Sequence, residues 1–259
     1  MKRGSSSLLR FVALLAVCTL ALQGVFAARI ALMRVVDPQS TSFQRSEIWR
    51  LLLEKHRIEW GQQWVAGTQI SPNLKRAVIA SEDAGFVEHS GVEWDALEKA
   101  WERNQKAEAR VARLNERLER QAARPNAASS SKAAVEPKVV GGSTITQQLA
   151  KNLFLAGERS LPRKAQEFVI TFMLEAMLGK ARILEIYLNN VEWGEGLFGA
   201  EAAARHYFHV PSAQLSPMAA ARLAVMLPAP KRFEKRPDSP YVLSRAGTVA
   251  ARMGAVEMP

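Results

Sequence analysis

Residues 141–156 read Gly-Gly-Ser-Thr-Ile-Thr-Gln-Gln-Leu-Ala-Lys-Asn-Leu-Phe-Leu-Ala. Ile145, Leu149 and Leu153 recur at four-residue spacing and line one face of a helix. Thr144, Gln148 and Lys151 share a different face. Ser143 stands where a helix N-cap is expected. With Gly141 and Gly142 it brings backbone N–H groups to a helix start, a setting that favours an anion. The bland alternative for the polar face is a solvent face.

The same grammar runs outward in both directions. Over 161–180, Arg163, Glu167, Thr171 and Glu175 form a polar stripe, and Ala165, Phe168, Phe172 and Ala176 an apolar one. A third helix is expected over 183–190, with two more over 199–208 and 216–227. Upstream, Ser71-Pro72 opens a helix over 73–81, and 47–65 reads as a helix with Trp49, Trp60 and Trp64. Those tryptophans suit either a head-group layer or an ordinary core. Residues 96–124 are strongly helical and charged, with a thin stripe of Val111, Leu114 and Leu118 and an i,i+4 pair, Glu116 and Arg120. Ala127 to Lys138 is a small, polar linker, so 107–138 reads as a mobile insertion. A solvated face is its first role, a membrane or partner contact its second. The last twenty residues carry no clear pattern, and strand signals are scarce. The fold class is mostly α, with one domain over 45–240 and a tail over 241–259.

The chain has 259 residues, 48 % of them hydrophobic, which supports a sizeable core in one large or two small domains. Its formal charge of +10 suits a polyanion. Zinc-finger, helix-turn-helix and RNP motifs are absent, which favours anionic lipid or a diphosphate over nucleic acid. The one cysteine, Cys18, lies in the N-terminal apolar run, so an intrachain disulfide is excluded. No Cys-based zinc set or His-x-x-x-His pair exists, so no metal ligands are assigned.

Lys2, Arg3 and Arg10 precede an apolar run from Phe11 to Ala28, which resumes at Ile30 to Val36. Residues 11–33 are long enough to cross a bilayer, and the positive residues 1–10 keep that end cytoplasmic. A cleaved signal peptide ending at Val25-Phe26-Ala27 is the rival reading.

Adjacent carboxylates at Glu82-Asp83 are common on surfaces, and a single His89 is more often structural than catalytic. The pattern around them is more specific. Glu82-Asp83-x-x-Phe86-x-x-His89-x-Gly91 resembles the first motif of the family 51 peptidoglycan glycosyltransferases. Residues 142–152, from Gly142 to Asn152, resemble the second. Arg163-Lys164-x-x-Glu167 resembles the third, and Lys180-x-x-Ile183-Leu184-x-x-Tyr187-Leu188-Asn189 the fourth. Leu227-Pro228-Ala229-Pro230 is similar to the closing segment. The motifs occur in family order; the insertion between the first two is the main departure.

The resemblance implies a lysozyme-like helical domain with a smaller lobe near the membrane. It implies polymerisation of lipid II by inverting transfer of a growing glycan to an incoming 4-hydroxyl, with release of undecaprenyl diphosphate. Glu82 becomes the catalytic base and Glu167 the second catalytic carboxylate, orienting basic residues or acting through a divalent ion. Lys151, Arg163 and Lys164 face the diphosphate, Thr144 and Gln148 hydrogen-bond substrate, and Asp83, Phe86 and His89 shape the site around Glu82. No cofactor is required; Mg or Mn is an optional aid. The expected partners are lipid II, the glycan strand, the membrane, and cell-wall synthesis or division proteins, without nucleic acid. The chain ends soon after these motifs, so a transpeptidase activity is not expected.

Gly194-Glu195-Gly196-Leu197-Phe198-Gly199 matches a dinucleotide fingerprint, but it follows a helix rather than a strand. Ser129-Ser130-Ser131-Lys132 lies in the linker without its Lys-Thr-Gly partner. A lytic glycan-cleaving enzyme would use a glutamate without a diphosphate clamp, and a scaffold would need none of these side chains. Both are weaker readings than a transferase.

Overall fold

The computed structural model describes residues 3–122, 142–155 and 160–259. The chain divides into two units, one of residues 1–92 with 144–259 and one of residues 93–143. The architecture is mostly α, as the patterning implies.

The larger unit begins with helix α1, Arg3–Leu32. Its Ser7–Leu32 portion is apolar and long enough to cross a membrane. The C-terminal turns of α1 are docked: Ile30 is fully buried, and Phe26 meets Phe154 edge-on at 5.3 Å. Helix α2, Ser42–Arg50, starts with a reciprocal capping box between Thr41 and Gln44.

The helix expected over 47–65 stops early. A π-turn over Leu51–Lys55 follows α2, and His56 adopts the left-handed conformation at φ 52°. Trp60 and Trp64, four apart, imitate a helical stripe, yet the chain there is extended. Strand β1, Gly61–Gln62, joins β2, Glu192–Gly194, and β3, Leu197–Phe198, in the order β1-β3-β2. Trp60 packs on Phe198 at 4.6 Å, and Arg182 lies 5.7 Å from the Trp64 ring. Trp49 alone of the three is largely exposed, at 63 %.

Four helices place the chemistry: α3, Pro72–Glu82; α5, Ile145–Phe154; α6, Leu161–Met177; and α7, Lys180–Asn190. The smaller unit contributes α4, Trp94–Ala122, which agrees with the helix expected there; residues 123–141, including the linker and Ser129 to Lys132, lie outside the described residues. Helices α8, Ala200–Phe208, α9, Pro217–Met226, and the short α10, Pro230–Phe233, complete the downstream half. The C-terminal region, unpatterned by sequence, forms α11, Pro240–Arg252, packed against α9. Its start is the same Ser-Pro pair that opens α3 and α9: the serine caps and the proline takes the first helical position. Ala220, Ala221 and Ala224 keep the core face of α9 small, which lets α3 and α11 lie close to it.

The apolar stripe expected on α6 is reversed. Phe172 is 46 % exposed, while Glu167, Ile170, Thr171 and Leu174 are buried. The polar members tolerate burial because they are satisfied: Thr171 Oγ1 donates to the Glu167 carbonyl at 2.8 Å, and the Glu167 carboxylate is ion-paired.

Gly196 shows why the Gly-rich 194–199 segment needs glycine. Its φ is +71°, and an added Cβ would sit 2.1 Å from the Glu59 carbonyl oxygen. The segment is a hairpin against β1, not a phosphate loop. Gly196→Ala is expected to lower stability by about 2 kcal/mol or more through strain and backbone collision. A thermal melt reads this directly; an unchanged midpoint would mean that β1 does not seat against the hairpin.

Candidate active site

Glu82 is the last residue of α3, and everything around it acts to hold that helix end against the start of α5. Asp83, the C-cap, is 4 % exposed and uses both carboxylate oxygens. Oδ2 accepts the Ile145 backbone N–H at 3.0 Å, and Oδ1 lies 2.7 Å from His89 Nε2. The Gly91 N–H donates to His89 Nδ1 at 3.1 Å. That contact makes Nδ1 an acceptor, so Nε2 carries the hydrogen and donates to Asp83.

The anion expected at the start of α5 is therefore the protein's own Asp83. The cap is Thr144, not Ser143. Thr144 Oγ1 accepts from Gln147 N at 3.2 Å and donates to the Gly91 carbonyl at 2.6 Å. At Gly91 φ is +89°, and a Cβ would stand 2.7 Å from Thr171 Cγ2, so this loop can close only on glycine. Lys180 completes the clasp by donating to the His89 carbonyl at 2.6 Å and to Glu175 Oε1 at 2.8 Å. It also lies over the Phe86 ring at 4.6 Å. Lys180 stood in the fourth motif without an assigned part; its i+5 offset from Glu175 hides the pair from helix-spacing arguments.

These contacts redistribute the expected roles. Asp83, Phe86 and Thr144 are buried inside the fold, where they position the loop. Gln148 faces Glu82 itself: its Nε2 donates to Glu82 Oε2 at 2.9 Å. Tyr187 OH donates to Gln148 Oε1, also at 2.9 Å.

A cationic group lies on the neighbouring helix α6, which packs against α5. Glu167, 3 % exposed, pairs with Arg163 Nη1 at 3.1 Å through Oε2 and with Lys164 through Oε1. Lys151 is within electrostatic reach of Glu167, Arg163, Lys164 and Glu82. Lys151 is exposed at the surface, yet the protein crowded around it depresses its pKa, with Glu167 opposing. Glu82 is half-buried by accessible surface, yet surrounding protein pushes its pKa upward; the Gln148 hydrogen bond opposes this, Asp83 adds to it, and Lys151 opposes it. Buried Arg163 Nε finds no acceptor among the described residues. No cluster of three metal-binding side chains stands among the described residues, and Glu167 already has a cation on each oxygen.

The arrangement offers a proton acceptor of raised affinity, with Lys151 on the same helix as Gln148 and with Arg163 and Lys164 held by Glu167 on the helix packed against it. That combination serves a reaction in which a hydroxyl attacks while negative charge develops on a leaving group. Asp83→Asn presents an amide N–H to one of two donors and is expected to cost about 1–3 kcal/mol, read as a lower melting temperature. A variant as stable as the parent would remove Asp83 from the clasp.

The sequence profile of the Transglycosylase family matches residues 52–112 and 122–254. The biosynthetic peptidoglycan transglycosylase of Paraburkholderia xenovorans is 47 % identical over 247 residues, covering 95 % of this chain and 91 % of that protein. Its namesake in Burkholderia thailandensis is 49 % identical over 240 residues, covering 93 % of this chain and 83 % of that protein. The motifs that build the site and matches that span nearly the whole chain lead to one conclusion: the chain belongs to the transglycosylase family.

Proposed function

We propose that this protein polymerises peptidoglycan glycan strands from lipid II, with Glu82 as the base. The observation that carries the reading is geometric: the Gln148 hydrogen bond holds Glu82 against α5, the helix that carries Lys151, and α5 packs on α6, where Arg163 and Lys164 are paired with Glu167. It joins a proton acceptor and a leaving-group clamp in one site. Glu82 takes the proton of the incoming 4-hydroxyl as that oxygen attacks the donor's anomeric carbon. The bond to the lipid diphosphate breaks on the opposite side, so the configuration inverts and a β-1,4 link forms. Lys151, Arg163 and Lys164 stabilise the charge that gathers on the departing diphosphate. Arg163 Nε, a buried donor without an acceptor among the described residues, suits an incoming phosphate oxygen.

Glu167 orients Arg163 and Lys164 rather than taking the proton, because both of its oxygens are already paired. The clamp consists of protein cations. Helix α1 serves as a single-pass anchor in the cytoplasmic membrane. Lys2, Arg3 and Arg10 remain inside, and the catalytic unit stands on the periplasmic side, where it meets membrane-held substrate and wall-synthesis proteins. N-terminal sequencing of the membrane fraction tests the anchor: intact chains support it, and a mature start at Ala28 contradicts it.

Purified full-length protein with labelled lipid II, products resolved by size, tests the activity. Glu82→Gln is expected to retain its fold and lose about 10²–10⁴-fold in rate. Lys151→Ala and Arg163→Ala are each expected to lower turnover by about tenfold or more. Release of soluble fragments from finished strands, without polymer, would identify a lytic enzyme instead. The pH dependence has a definite sign. The base works when ionised, and its pKa is raised, so activity declines toward acid above the ordinary value of 4.5 for a glutamate.

A further inference from the structure

Tyr187 reaches the site through Gln148. It projects from α7 and is 1 % exposed, so its hydroxyl has no access to solvent. That hydroxyl is 2.9 Å from Gln148 Oε1, and Gln148 Nε2 is 2.9 Å from Glu82 Oε2. The direction of this chain follows from chemistry rather than from atom labels. An ionised carboxylate can only accept, so the amide must turn its NH2 toward Glu82. Its oxygen then faces Tyr187, which must donate. Phenylalanine could not do so, and the amide would lose the partner that fixes its orientation.

We propose that Tyr187 is a positioning residue that locks the Gln148 amide, so that Gln148 donates to Glu82 and holds it in the ionised, proton-accepting form. This rests on Glu82 being the base. The relay is directional. When Glu82 is protonated its carbonyl oxygen still accepts from the amide, but that bond is weaker than the charge-assisted one to the carboxylate, so the chain from Tyr187 through Gln148 is strongest when Glu82 is ionised. Tyr187 thus favours the charged state that must be restored after each transfer. Burial and the nearby Glu82 and Asp83 charges raise the tyrosine pKa well above its usual value, so it remains a neutral donor. The charged groups acting on Glu82 are Asp83 at its own helix end and Lys151 from α5, and Glu82 and Asp83 in turn act on Tyr187 of α7. Arg163, Lys164 and Glu167 of α6 act on Lys151 behind them.

The test is the pH profile of kcat/KM on lipid II for the full-length wild type, Tyr187→Phe, Gln148→Leu and the double variant, with melting temperatures alongside. The relay predicts that the acid limb moves to higher pH in both single variants. The rate should fall about tenfold more on the acid limb than on the plateau, the scale of a lost hydrogen bond to a charged group. The double variant should show no further movement, because the two residues act through one bond. A uniform loss at every pH, or an unmoved acid limb, overturns the proposal and leaves tyrosine a packing residue. If Tyr187→Phe fails to fold, the Gln148→Leu profile alone decides: an unmoved acid limb refutes the relay. Glu82→Gln separates the two levels of the argument. An inactive Glu82→Gln with an unmoved acid limb in the relay variants rejects the relay only; an active Glu82→Gln rejects the base itself.

Discussion

The Asp83 carboxylate receives the first backbone N–H of α5, and the rest of the site depends on that contact. A helix start has backbone donors with no intrahelical acceptor and a partial positive charge, so a buried carboxylate is a natural partner. By accepting there, Asp83 fixes the end of α3 to the beginning of α5. One residue before it, Glu82 is brought beside Gln148, one turn into α5. His89, Gly91 and Thr144 close the loop around the same carboxylate, each through a named hydrogen bond. Much of the first motif is therefore architecture for a single side chain.

The second constraint is electrostatic. A carboxyl half-removed from water tends to keep its proton, which raises its affinity but threatens its availability for the role of base proposed for Glu82. The site offsets that tendency with a donor from Gln148 and the positive charge of Lys151. Lys151 is itself disfavoured by its surroundings and is supported by Glu167. The two halves of the site meet where α5, carrying Gln148 and Lys151, packs on α6, carrying Arg163, Lys164 and Glu167. Arg163 and Lys164 share Glu167, which holds their charges at fixed positions while leaving Arg163 Nε without an acceptor among the described residues.

Much of this was legible in the sequence. The spacing separated Gln148 and Lys151 from the buried stripe of Ile145, Leu149 and Leu153, though Thr144 turned out to be the buried cap, and Arg163 with Glu167 at i,i+4 paired as expected. Contacts between distant segments were not legible. Nothing local says that Asp83 caps α5, that Lys180 reaches the His89 carbonyl, or that Tyr187 meets Gln148 across thirty-nine positions. Hydrophobicity misled on α6, where Glu167 and Thr171 turn inward because partners satisfy them, and Phe172 turns outward. It misled again at Trp60 and Trp64, whose spacing imitates a helix that His56 has already ended. Helix α11 carried a signal in Ser239-Pro240, a pair identical to the starts of α3 and α9, but its apolar pattern was too thin to be read alone.

Catalysis here turns on whether the ionisation of one glutamate controls the reaction. The direct measurement is carbon-13 NMR titration of the Glu82 side-chain carboxyl in the full-length protein, set against the pH profile of lipid II polymerisation. The account predicts that the two midpoints coincide on the acid side and lie above 4.5, the ordinary glutamate value. A carboxyl that titrates at one pH while the rate falls at another, or a rate indifferent to its charge, would contradict it.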